Sequence, residues 1–527
     1  MTSSFRPAGP STPHGPSAAV RDQLVAYFEG HQKFVEAEAL RLLVAQPWPL
    51  AISQKVIEDA GPSHAFVTVE MVVRILAVTG AGRPGERPLS TAVSGGRDTG
   101  PSLSVASPSE RRGFSVVQQG FSAPPTSDEP LVAYGTLFAS RYRALARLLK
   151  GRSTLPNVVP VGDYARHGTN VSVIGMVRDV RTTPEKRHVI VRVEDDSGSV
   201  ECFVPRDSPA ARSTFLPDEV VGLQLQVGTD PQRAPRVTSV ERPDSSRGRV
   251  EHRATGPSRA LFLSDLHLGS RSFLSEPWSE LVEFLHERGP APEIAREIRY
   301  VVVAGDLVDG IGIYPNQERD LAIHDVVQQY EELGRRLREL PDRLRVILIP
   351  GNHDAVCPAE PQPALSPGVA ALLPDNAVCL SNPSTVSLDG VVVSAYHGRS
   401  FDDLIPALPG ASYSRPTDVM KRMLAMRHLA PMYGGRTPLA PLAVDGLVID
   451  PAPDILVTGH SHTFGVDRSG GTLLLNASTW QAETEYQRMR NVSPVPARAA
   501  VVDLASFAVS TLDFSGGGRA DVVVGAG

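Results

Sequence analysis

Leu261-Phe-Leu-Ser-Asp-Leu-His267 joins an apolar run to an aspartate and a histidine, and four later segments repeat this arrangement. They are Val301-Val-Val-Ala-Gly-Asp306, Val346-Ile-Leu-Ile-Pro-Gly-Asn-His-Asp354, Val391-Val-Val-Ser-Ala-Tyr-His397 and Ile455-Leu-Val-Thr-Gly-His-Ser-His462. A continuous apolar run is typical of a buried parallel strand. Ligands of open α/β sheets collect beyond the carboxyl ends of such strands. The five runs therefore predict an α/β domain whose polar residues meet in one crevice.

The polar residues that end these runs are of the types that bind divalent metal ions. Carboxylate, imidazole and amide groups suit a pair of hard or borderline ions. Residues i and i+2 of an extended segment project to the same side, so an Asp-x-His or His-x-His pair offers two ligands together. We predict a catalytic site for two divalent ions, with these ligands: Asp265, His267, Asp306, Asn352, His397, His460 and His462.

Asp306 ends the second strand and is predicted to bridge the two ions, which in such sites lie about 3.5–4 Å apart. A pair of this kind activates a water molecule and stabilises both oxygens of an in-line displacement at phosphorus. The remaining ligands divide into one set for each ion: Asp265, His267 and His462, and then Asn352, His397 and His460.

His353 lies beside the predicted ligand Asn352 but outside the ligand set. A histidine close to the metals can protonate the leaving alkoxide, so we predict that His353 is the general acid. Asp354 is predicted to orient this imidazole, as carboxylates do at other histidines. A single histidine is more often part of a packed core or loop. The number of such residues at successive strand ends favours the metal site.

Composition limits the class of protein. The chain has 527 residues, which is the length of about three to four domains. Its 3 cysteines include no CxxC pair, which argues against a disulfide framework or a zinc ribbon and fits a cytoplasmic location. No apolar run reaches the roughly 18 residues of a membrane span, so we expect no membrane association. The net charge of −6 does not indicate a general nucleic-acid binder, although a local basic groove is compatible with it.

The rest of the chain divides by composition and periodicity. Segments rich in Gly, Pro and Ser predict tails and linkers, and apolar residues at helical spacing predict helices. The predicted segments are a disordered tail (1–18), a helical module for docking (19–78), a flexible linker (79–128), a basic helix (129–153), an OB-fold barrel (154–245), the α/β domain (259–514) and a frayed C-terminus (515–527).

Short alternating strands with Asp/Gly turns predict a small Greek-key barrel in 154–245, and their order fits an OB fold. OB folds bind single strands by stacking bases on aromatic residues, but Phe203 is the main strand aromatic here. A structural or subunit-docking role is therefore favoured over direct DNA binding. The basic helix has two interpretations as well: Arg141, Arg143 and Arg147 form a solvated face or contact nucleic acid.

Within the α/β domain, helical patterns predict crossover helices over 278–287, 321–340 and 420–429. Two further apolar segments, 472–475 and 499–504, are predicted to complete a second sheet.

Five motifs together resemble the signature of the calcineurin-like metallophosphoesterase family. All of them are present and in the order of the family. The resemblance implies a four-layer α/β sandwich with a dinuclear metal site, and it implies the same ligand roles as given above. The motifs are Asp265-x-His267, Gly305-Asp306, Gly351-Asn-His-Asp354, His397 and Gly459-His-x-His462.

A barrel before the phosphoesterase domain resembles the small, or B, subunits of replicative DNA polymerases. It differs from the double-strand-break repair nucleases, whose phosphoesterase domain begins the chain. Over about residues 131–514, local strings are similar to the small-subunit family of the archaeal family-D DNA polymerases. These strings are Gly305-Asp-Leu-Val-Asp-Gly-Ile-Gly312, Tyr314-Pro-Asn-Gln317, Arg427-His-Leu-Ala-Pro431, and Asn476 with Trp480-Gln481 and Thr484.

This resemblance implies a 3′-to-5′ exonuclease that proofreads beside a large catalytic subunit, with Mn²⁺ as the usual metal of the family. Its substrates would be single-stranded or mismatched 3′ ends of DNA. Synthesis would belong to the large subunit, because no separate acidic triad for polymerisation is evident in this chain. Eukaryotic relatives have lost metal ligands and act as scaffolds. Two alternatives are therefore a non-catalytic scaffold subunit and a phosphatase of the same fold.

Overall fold

The computed structural model describes scattered residues between 24 and 73 and then 113–121, 129–185, 187–230, 233–244, 249–489, 493–516 and 521–525. The predicted tail and most of the predicted linker lie outside these residues. The chain divides into two compact units, one of residues 1–104 with 127–132 and the other of 105–126 with 133–527. None of the described helices has the length and apolar character needed to cross a membrane.

The first unit contains a short parallel pair of strands, β1 (Phe34–Val35) and β2 (Phe66–Val67), and a helix, α1 (Ala37–Val44). Its apolar residues at helical spacing, among them Leu24 and Leu43, are buried in one cluster. The described part of the predicted helical module thus contains helical residues, together with a strand pair that the pattern did not indicate.

Residues 114–119 belong to a sheet, which corrects the prediction of a flexible linker over 79–128. β3 (Phe114–Gln119) pairs antiparallel with Ser384–Leu388, far along the chain. Most side chains of β3 are exposed. The strand therefore lacks the apolar run by which strands are recognised, and its pairing depends on backbone hydrogen bonds to a distant segment.

The predicted basic helix is present as α2 (Pro130–Leu149). Arg141 is fully buried and its Nε lies 2.6 Å from the Asp445 carboxylate, which is also buried. Neither interpretation of Arg141 is therefore correct, because its guanidinium can reach neither solvent nor nucleic acid. Arg143 and Arg147 are exposed.

We expect Arg141→Met to lower the free energy of unfolding by about 3–5 kcal/mol, because Asp445 would stay buried without its cationic partner. Chemical denaturation followed by circular dichroism measures this loss. The matched control is Arg147→Met, whose exposed ion pair with Asp450 is worth about 0–1 kcal/mol. Equal losses in the two variants would contradict the role given to the buried pair.

Five strands then form a closed barrel with the neighbour order β4-β5-β6-β8-β7, in which β7 also pairs with β4. Its interior is apolar and includes Val173, Val191 and Cys202. Burial raises the pKa of the Cys202 thiol to about 12, so this cysteine is an inert core residue. The strands are β4 (Asn170–Thr182), β5 (Val189–Asp195), β6 (Gly198–Val204), β7 (Val220–Gln226) and β8 (Arg236–Glu241).

The α/β domain follows the barrel. Its strands are β9 (Arg259–Leu263), β10 (Ile298–Ala304), β11 (Arg345–Ile349), β12 (Ala377–Cys379), β13 (Ser384–Leu388), β14 (Val391–Ala395), β15 (Ile455–Thr458), β16 (Phe464–Ser469), β17 (Thr472–Ala477), β18 (Arg498–Asp503), β19 (Val509–Asp513) and β20 (Asp521–Gly525). Its helices are α3 (Ser275–Leu285), α4 (Pro292–Glu297), α5 (Val326–Leu337), α6 (Pro367–Ala370), α7 (Phe401–Ala407), α8 (Pro416–Met426) and α9 (Glu485–Met489).

These strands form two mixed sheets, with the orders β12-β11-β10-β9-β18-β19-β20 and β16-β17-β15-β14-β13-β3. The pairs among β9, β10, β11 and β12 are parallel, as are those of β15 with β14 and β17. Three of the five apolar runs therefore lie in the first sheet and two in the second. The crevice lies beyond the carboxyl ends of both sheets rather than one.

Alternate side chains of the first sheet face two different cores, as the pleat of a strand requires. Leu261 and Val301 pack with residues of α3 and α5, whereas Phe262 and Val302 pack with residues of the second sheet. The other face of the second sheet packs against α7 and α8, for example through Leu456. The domain thus has four layers, in the order helix, sheet, sheet, helix.

Three predictions within this domain need correction. Residues 499–504 lie in the first sheet, because β18 pairs antiparallel with β9. The segment predicted to be frayed contains β20, which pairs with β19. The helix predicted from residue 321 begins at Val326, because the Asp325 side chain accepts hydrogen bonds from the first-turn amides of Val327 and Gln328.

Candidate metal centre

Five of the predicted metal ligands have a left-handed backbone conformation. A left-handed conformation costs a non-glycine residue about 1–3 kcal/mol and occurs preferentially at functional sites. The surrounding sheets hold these residues in place, and the left-handed backbone sets the direction of each side chain. The predicted ligands with φ between 49° and 65° are Asp265, His267, Asp306, His460 and His462.

Glycines next to the ligands allow the strand ends to approach each other. A Cβ atom on Gly459 would collide with Ser264 Oγ and with the Asp265 carboxylate. A Cβ atom on Gly351 would collide with the Asp306 carboxylate. Gly459 is therefore required by the close approach of the two sheets, and Gly351 by the close approach of two neighbouring strand ends of the first sheet.

The first donor set contains Asp265, His267 and His462. Asp265 Oδ1 lies 3.3 Å from His462 Nε2 and 3.9 Å from His267 Nε2, and the two Nε2 atoms are 3.0 Å apart. Ligand atoms about 2.1 Å from a shared ion are themselves roughly 3–4 Å apart. The three side chains therefore fit one divalent ion.

The second donor set contains Asp306, Asn352, His397 and His460. His397 Nε2 lies 3.3 Å from Asp306 Oδ2 and 3.1 Å from Asn352 Oδ1. Donor atoms of Asp306, His397 and His460 lie within 4.8 Å of one another. This set also fits one ion, and all the predicted ligands lie in a single site.

Asp306 lies between the two sets. Its Oδ2 is 3.3 Å from His397 Nε2 and 3.8 Å from His267 Nε2, one histidine from each set. Its Oδ1 accepts a hydrogen bond of 2.8 Å from the backbone N–H of His353. One carboxylate can therefore contact two ions.

Several residues that hold the ligand histidines were not found from the sequence. His267 Nδ1 donates to Asp309 Oδ1 at 2.9 Å, and the Gln487 amide lies 2.7 Å from His462 Nδ1. Such contacts fix the ring and direct Nε2 to the metal. Asp309 lies three residues after Asp306 and could have been found from this spacing. No pattern indicated Gln487.

The charges of the site favour a cation. Burial alone would raise the pKa of Asp265 and Asp306, but the neighbouring imidazoles lower both pKa values well below the ordinary range. Burial alone would lower the pKa of His267 and His397, but the carboxylates raise these pKa values to about 10 and about 9. The carboxylates thus favour protonated imidazoles when no metal is bound. A divalent ion can replace these protons.

Asp354 does not orient His353, which corrects the role predicted for it. Its Oδ2 accepts from the backbone N–H groups of Gly351 at 2.8 Å and Leu307 at 3.1 Å. Its Oδ1 accepts from the Tyr330 hydroxyl at 3.0 Å. Because both oxygens are used in this way, Asp354 holds together the two loops that carry the predicted ligands Asp306 and Asn352.

We expect Asp354→Ala to lower the free energy of unfolding by about 1–3 kcal/mol or more, because two buried amides lose their acceptor. Metal affinity should fall with it, since the two loops lose their link. Thermal unfolding and elemental analysis measure the two effects. Tyr330→Phe, which removes only the hydroxyl, is the matched control and should have the smaller effect. A variant with normal stability and normal metal content but low activity would restore the catalytic interpretation.

The His353 ring is held instead by a backbone carbonyl. Its Nδ1 donates to the Asp309 carbonyl at 2.8 Å, and its Nε2 lies 3.9 Å from Asp306 Oδ2. Burial lowers the pKa of His353, although the charges of Asp306 and Asp309 oppose this. The imidazole thus lies at the edge of the donor sets, with Nε2 directed towards them.

A pocket of about 440 Å³ opens over the centre, within the range of roughly 300–1,000 Å³ that is usual for ligand sites. Besides metal-site residues, its walls include two tyrosines and two arginines, namely Tyr314, Tyr413, Arg399 and Arg436. The pocket combines aromatic rings and positive charge beside the donor sets.

The fold and the site define a class: a two-sheet α/β protein with a candidate dinuclear metal centre at the shared edge of its sheets. A family model that describes the B subunits of DNA polymerases alpha and epsilon matches residues 260–466. With the relatives below, the chain belongs to the family of the DNA polymerase II small subunits. A small subunit of a DNA polymerase implies a large catalytic subunit as its partner.

The relatives named DNA polymerase II small subunit cover most of the chain. The one from Archaeoglobus fulgidus is 41% identical, over 69% of this chain and 73% of its own. The one from Methanothermobacter thermautotrophicus is 39% identical, over 74% and 81%. The one from Halobacterium salinarum is 33% identical, and the match extends over 91% and 96%.

Two of the solved structures that are similar to this chain cover 50% of it. Vps29 from Entamoeba histolytica in complex with Zn²⁺ is 17% identical and covers 50% of this chain and 98% of its own, with a TM-score of 0.28. Yfce, a phosphoesterase from E. coli, is 16% identical and covers 50% and 98%, with a TM-score of 0.27.

Proposed function

We propose that this chain is a metal-dependent 3′-to-5′ exonuclease that proofreads within a family-D DNA polymerase, with a phosphoesterase domain as its catalytic part. The observation that carries the proposal is the position of Asp306. Its Oδ2 lies between two donor sets, each of which fits a divalent ion. That arrangement is typical of sites that hydrolyse phosphodiesters with two metals.

Asp265, His267 and His462 would hold one ion, Asn352, His397 and His460 would hold the other, and Asp306 would contact both. Two divalent ions bound there would supply an activated water molecule and would stabilise the negative charge on the oxygens around phosphorus. Mn²⁺ is compatible with carboxylate and imidazole ligands, and so are other divalent ions.

His353 is the proposed proton donor to the leaving 3′ oxygen. Because its Nδ1 proton is held by the Asp309 carbonyl, the proton for transfer must be on Nε2. The active form is therefore the imidazolium, which burial disfavours in the free protein. The negative charge of a bound phosphodiester favours that form, so protonation of His353 is coupled to substrate binding.

Features around the centre support a nucleic-acid strand as the substrate. Tyr314 and Tyr413 line the pocket, and aromatic rings of this kind stack on bases.

The barrel has the strand order of an OB fold, and we interpret it as one. Its Phe203 ring packs against His188 at a centroid distance of 4.9 Å. This contact favours a structural or subunit-docking role for the barrel over base stacking.

The test is degradation of single-stranded DNA labelled at its 5′ end, with Mn²⁺, by the full chain alone and copurified with its large subunit. Wild type should shorten the strand from its 3′ end, and Asp306→Ala and His353→Ala should be defective. Equal activity in all three proteins would show that the nuclease is a contaminant. Faster hydrolysis of a phosphomonoester than of DNA would favour the phosphatase alternative, and metal-free, inactive protein would favour the scaffold.

A further inference from the structure

We propose that Arg399 and Arg436 bind the phosphates that flank the scissile bond, and that they make the site selective for a polynucleotide strand over an isolated phosphoester. The proposal rests on the proposed phosphodiesterase function of the same pocket. It adds the chemical class of the substrate and two residues that recognise it, neither of which belongs to the donor sets.

Both arginines lie in the pocket wall without a salt bridge, and the nearest carboxylate charges, Glu360 for Arg399 and Asp402 for Arg436, act only at longer range. Arg436 is exposed and Arg399 is half-buried. In the part of the chain that the structure describes, no ion pair joins either guanidinium to an acidic residue, and the side chain of Arg399 donates one hydrogen bond, to the Pro358 carbonyl at 2.8 Å. Two cations of this kind at one pocket are available for an anionic ligand.

The backbone that carries Arg436 is fixed in place. The Asp403 carboxylate, which is buried, accepts from the backbone N–H of Arg436 at 2.6 Å and from that of Thr437 at 3.0 Å. A Cβ atom on Gly435 would collide with the same carboxylate. An exposed arginine on an anchored loop loses less conformational entropy on binding than one on a loose loop.

One short helix, α7, connects this loop to the metal centre. Asp402 Oδ2 lies 3.5 Å from His460 Nε2, and Asp402 Oδ1 accepts from the Tyr413 hydroxyl at 2.5 Å. The next residue, Asp403, holds the loop of Arg436. The Asp402 oxygens contact His460 and Tyr413, and Asp402 interacts with Arg436 only through longer-range electrostatics, so the guanidinium forms no salt bridge that a ligand would have to break.

Flanking phosphates rather than the scissile one are the ligands that we assign to the two arginines, because both line the pocket but neither belongs to the donor sets. The scissile phosphate has to lie against the donor sets, where the ions would bind it. A monoester or an isolated diester carries no second phosphate for Arg399 and Arg436. A DNA strand carries one phosphate per nucleotide, so its neighbouring phosphates extend along the pocket wall.

The experiment compares two readouts that share the metal centre. The first is affinity for a fluorescent 3′-ended oligothymidylate in Mn²⁺, measured by anisotropy over a range of salt, in a His353→Ala background that limits cleavage. The second is hydrolysis of bis(p-nitrophenyl) phosphate, which has no flanking phosphate, with His353 intact. The double variant Arg399→Gln with Arg436→Gln should raise the Kd of the oligonucleotide about 10–100-fold. It should leave hydrolysis of the small diester unchanged.

The salt dependence of oligonucleotide binding measures how many phosphate contacts are lost. Each lost contact to a single strand should reduce the slope of log K against log salt by about 0.7, so the double variant should lose about 1.4. Arg399→Lys with Arg436→Lys should restore most of the slope, because it restores both charges. The matched control is Arg345→Gln, which should change neither readout. Arg345 is exposed and lies at the amino-terminal end of β11, whereas the pocket lies beyond the carboxyl ends of the strands.

Unchanged oligonucleotide affinity in the double glutamine variant would overturn the inference. Loss of both small-diester hydrolysis and bound metal in this variant would also overturn the inference, because the arginines would then support the metal centre itself. If wild type hydrolyses neither substrate but the glutamine variants still lose affinity and slope, the flanking-phosphate site stands and the proposed exonuclease fails.

Discussion

Asp306→Ala should lose both metal ions and should reduce exonuclease activity at least about 10³-fold, which corresponds to about 4 kcal/mol of transition-state stabilisation. The reason is geometric. Asp306 Oδ2 lies 3.3 Å from His397 Nε2 and 3.8 Å from His267 Nε2, so its removal takes a ligand from both donor sets at once. His267→Ala removes a ligand from one set and should be less severe.

Elemental analysis of both variants decides this prediction, with thermal unfolding to show that they fold. Asp306→Ala should retain clearly less metal than His267→Ala. Comparable metal content in the two variants would contradict a bridging role for Asp306. Because Asp306 Oδ1 also accepts from the backbone of His353, Asp306→Asn is a second variant that retains an acceptor there but lacks the charge.

His353→Ala should keep its metal and lower kcat about 10²–10⁴-fold, as expected for removal of a general acid. The structure makes metal content the decisive measurement. The donor atoms of His353 lie within 4.8 Å of those of His267 and Asp306, so the ring is close enough to be a ligand as well. Loss of a general acid removes a proton donor, whereas loss of a ligand removes a metal ion.

A substrate with a good leaving group separates the two roles further. p-Nitrophenolate leaves without protonation, so His353→Ala should hydrolyse bis(p-nitrophenyl) phosphate at nearly the wild-type rate while it degrades DNA slowly. Equal losses on the two substrates, together with reduced metal content, would make His353 a ligand.

Local pattern was sufficient for much of the fold. The apolar runs before Asp265, Asp306 and His353 are strands β9, β10 and β11, because a strand buried on both faces needs apolar side chains at every position. The barrel strands were evident for a similar reason, from alternation and turns. The predicted ligands were evident because each follows closely on such a run.

The sequence by itself therefore determined which apolar runs are strands and which polar residues follow them as predicted ligands, since both are properties of neighbouring residues. Only the tertiary structure decided how the runs divide between two sheets, and that the exposed strand β3 joins the second. It also decided the partners of Arg141 and Asp354. Arg141 pairs with a carboxylate 304 residues away. Contacts of this kind depend on how the chain returns on itself, and no local pattern of residues encodes them.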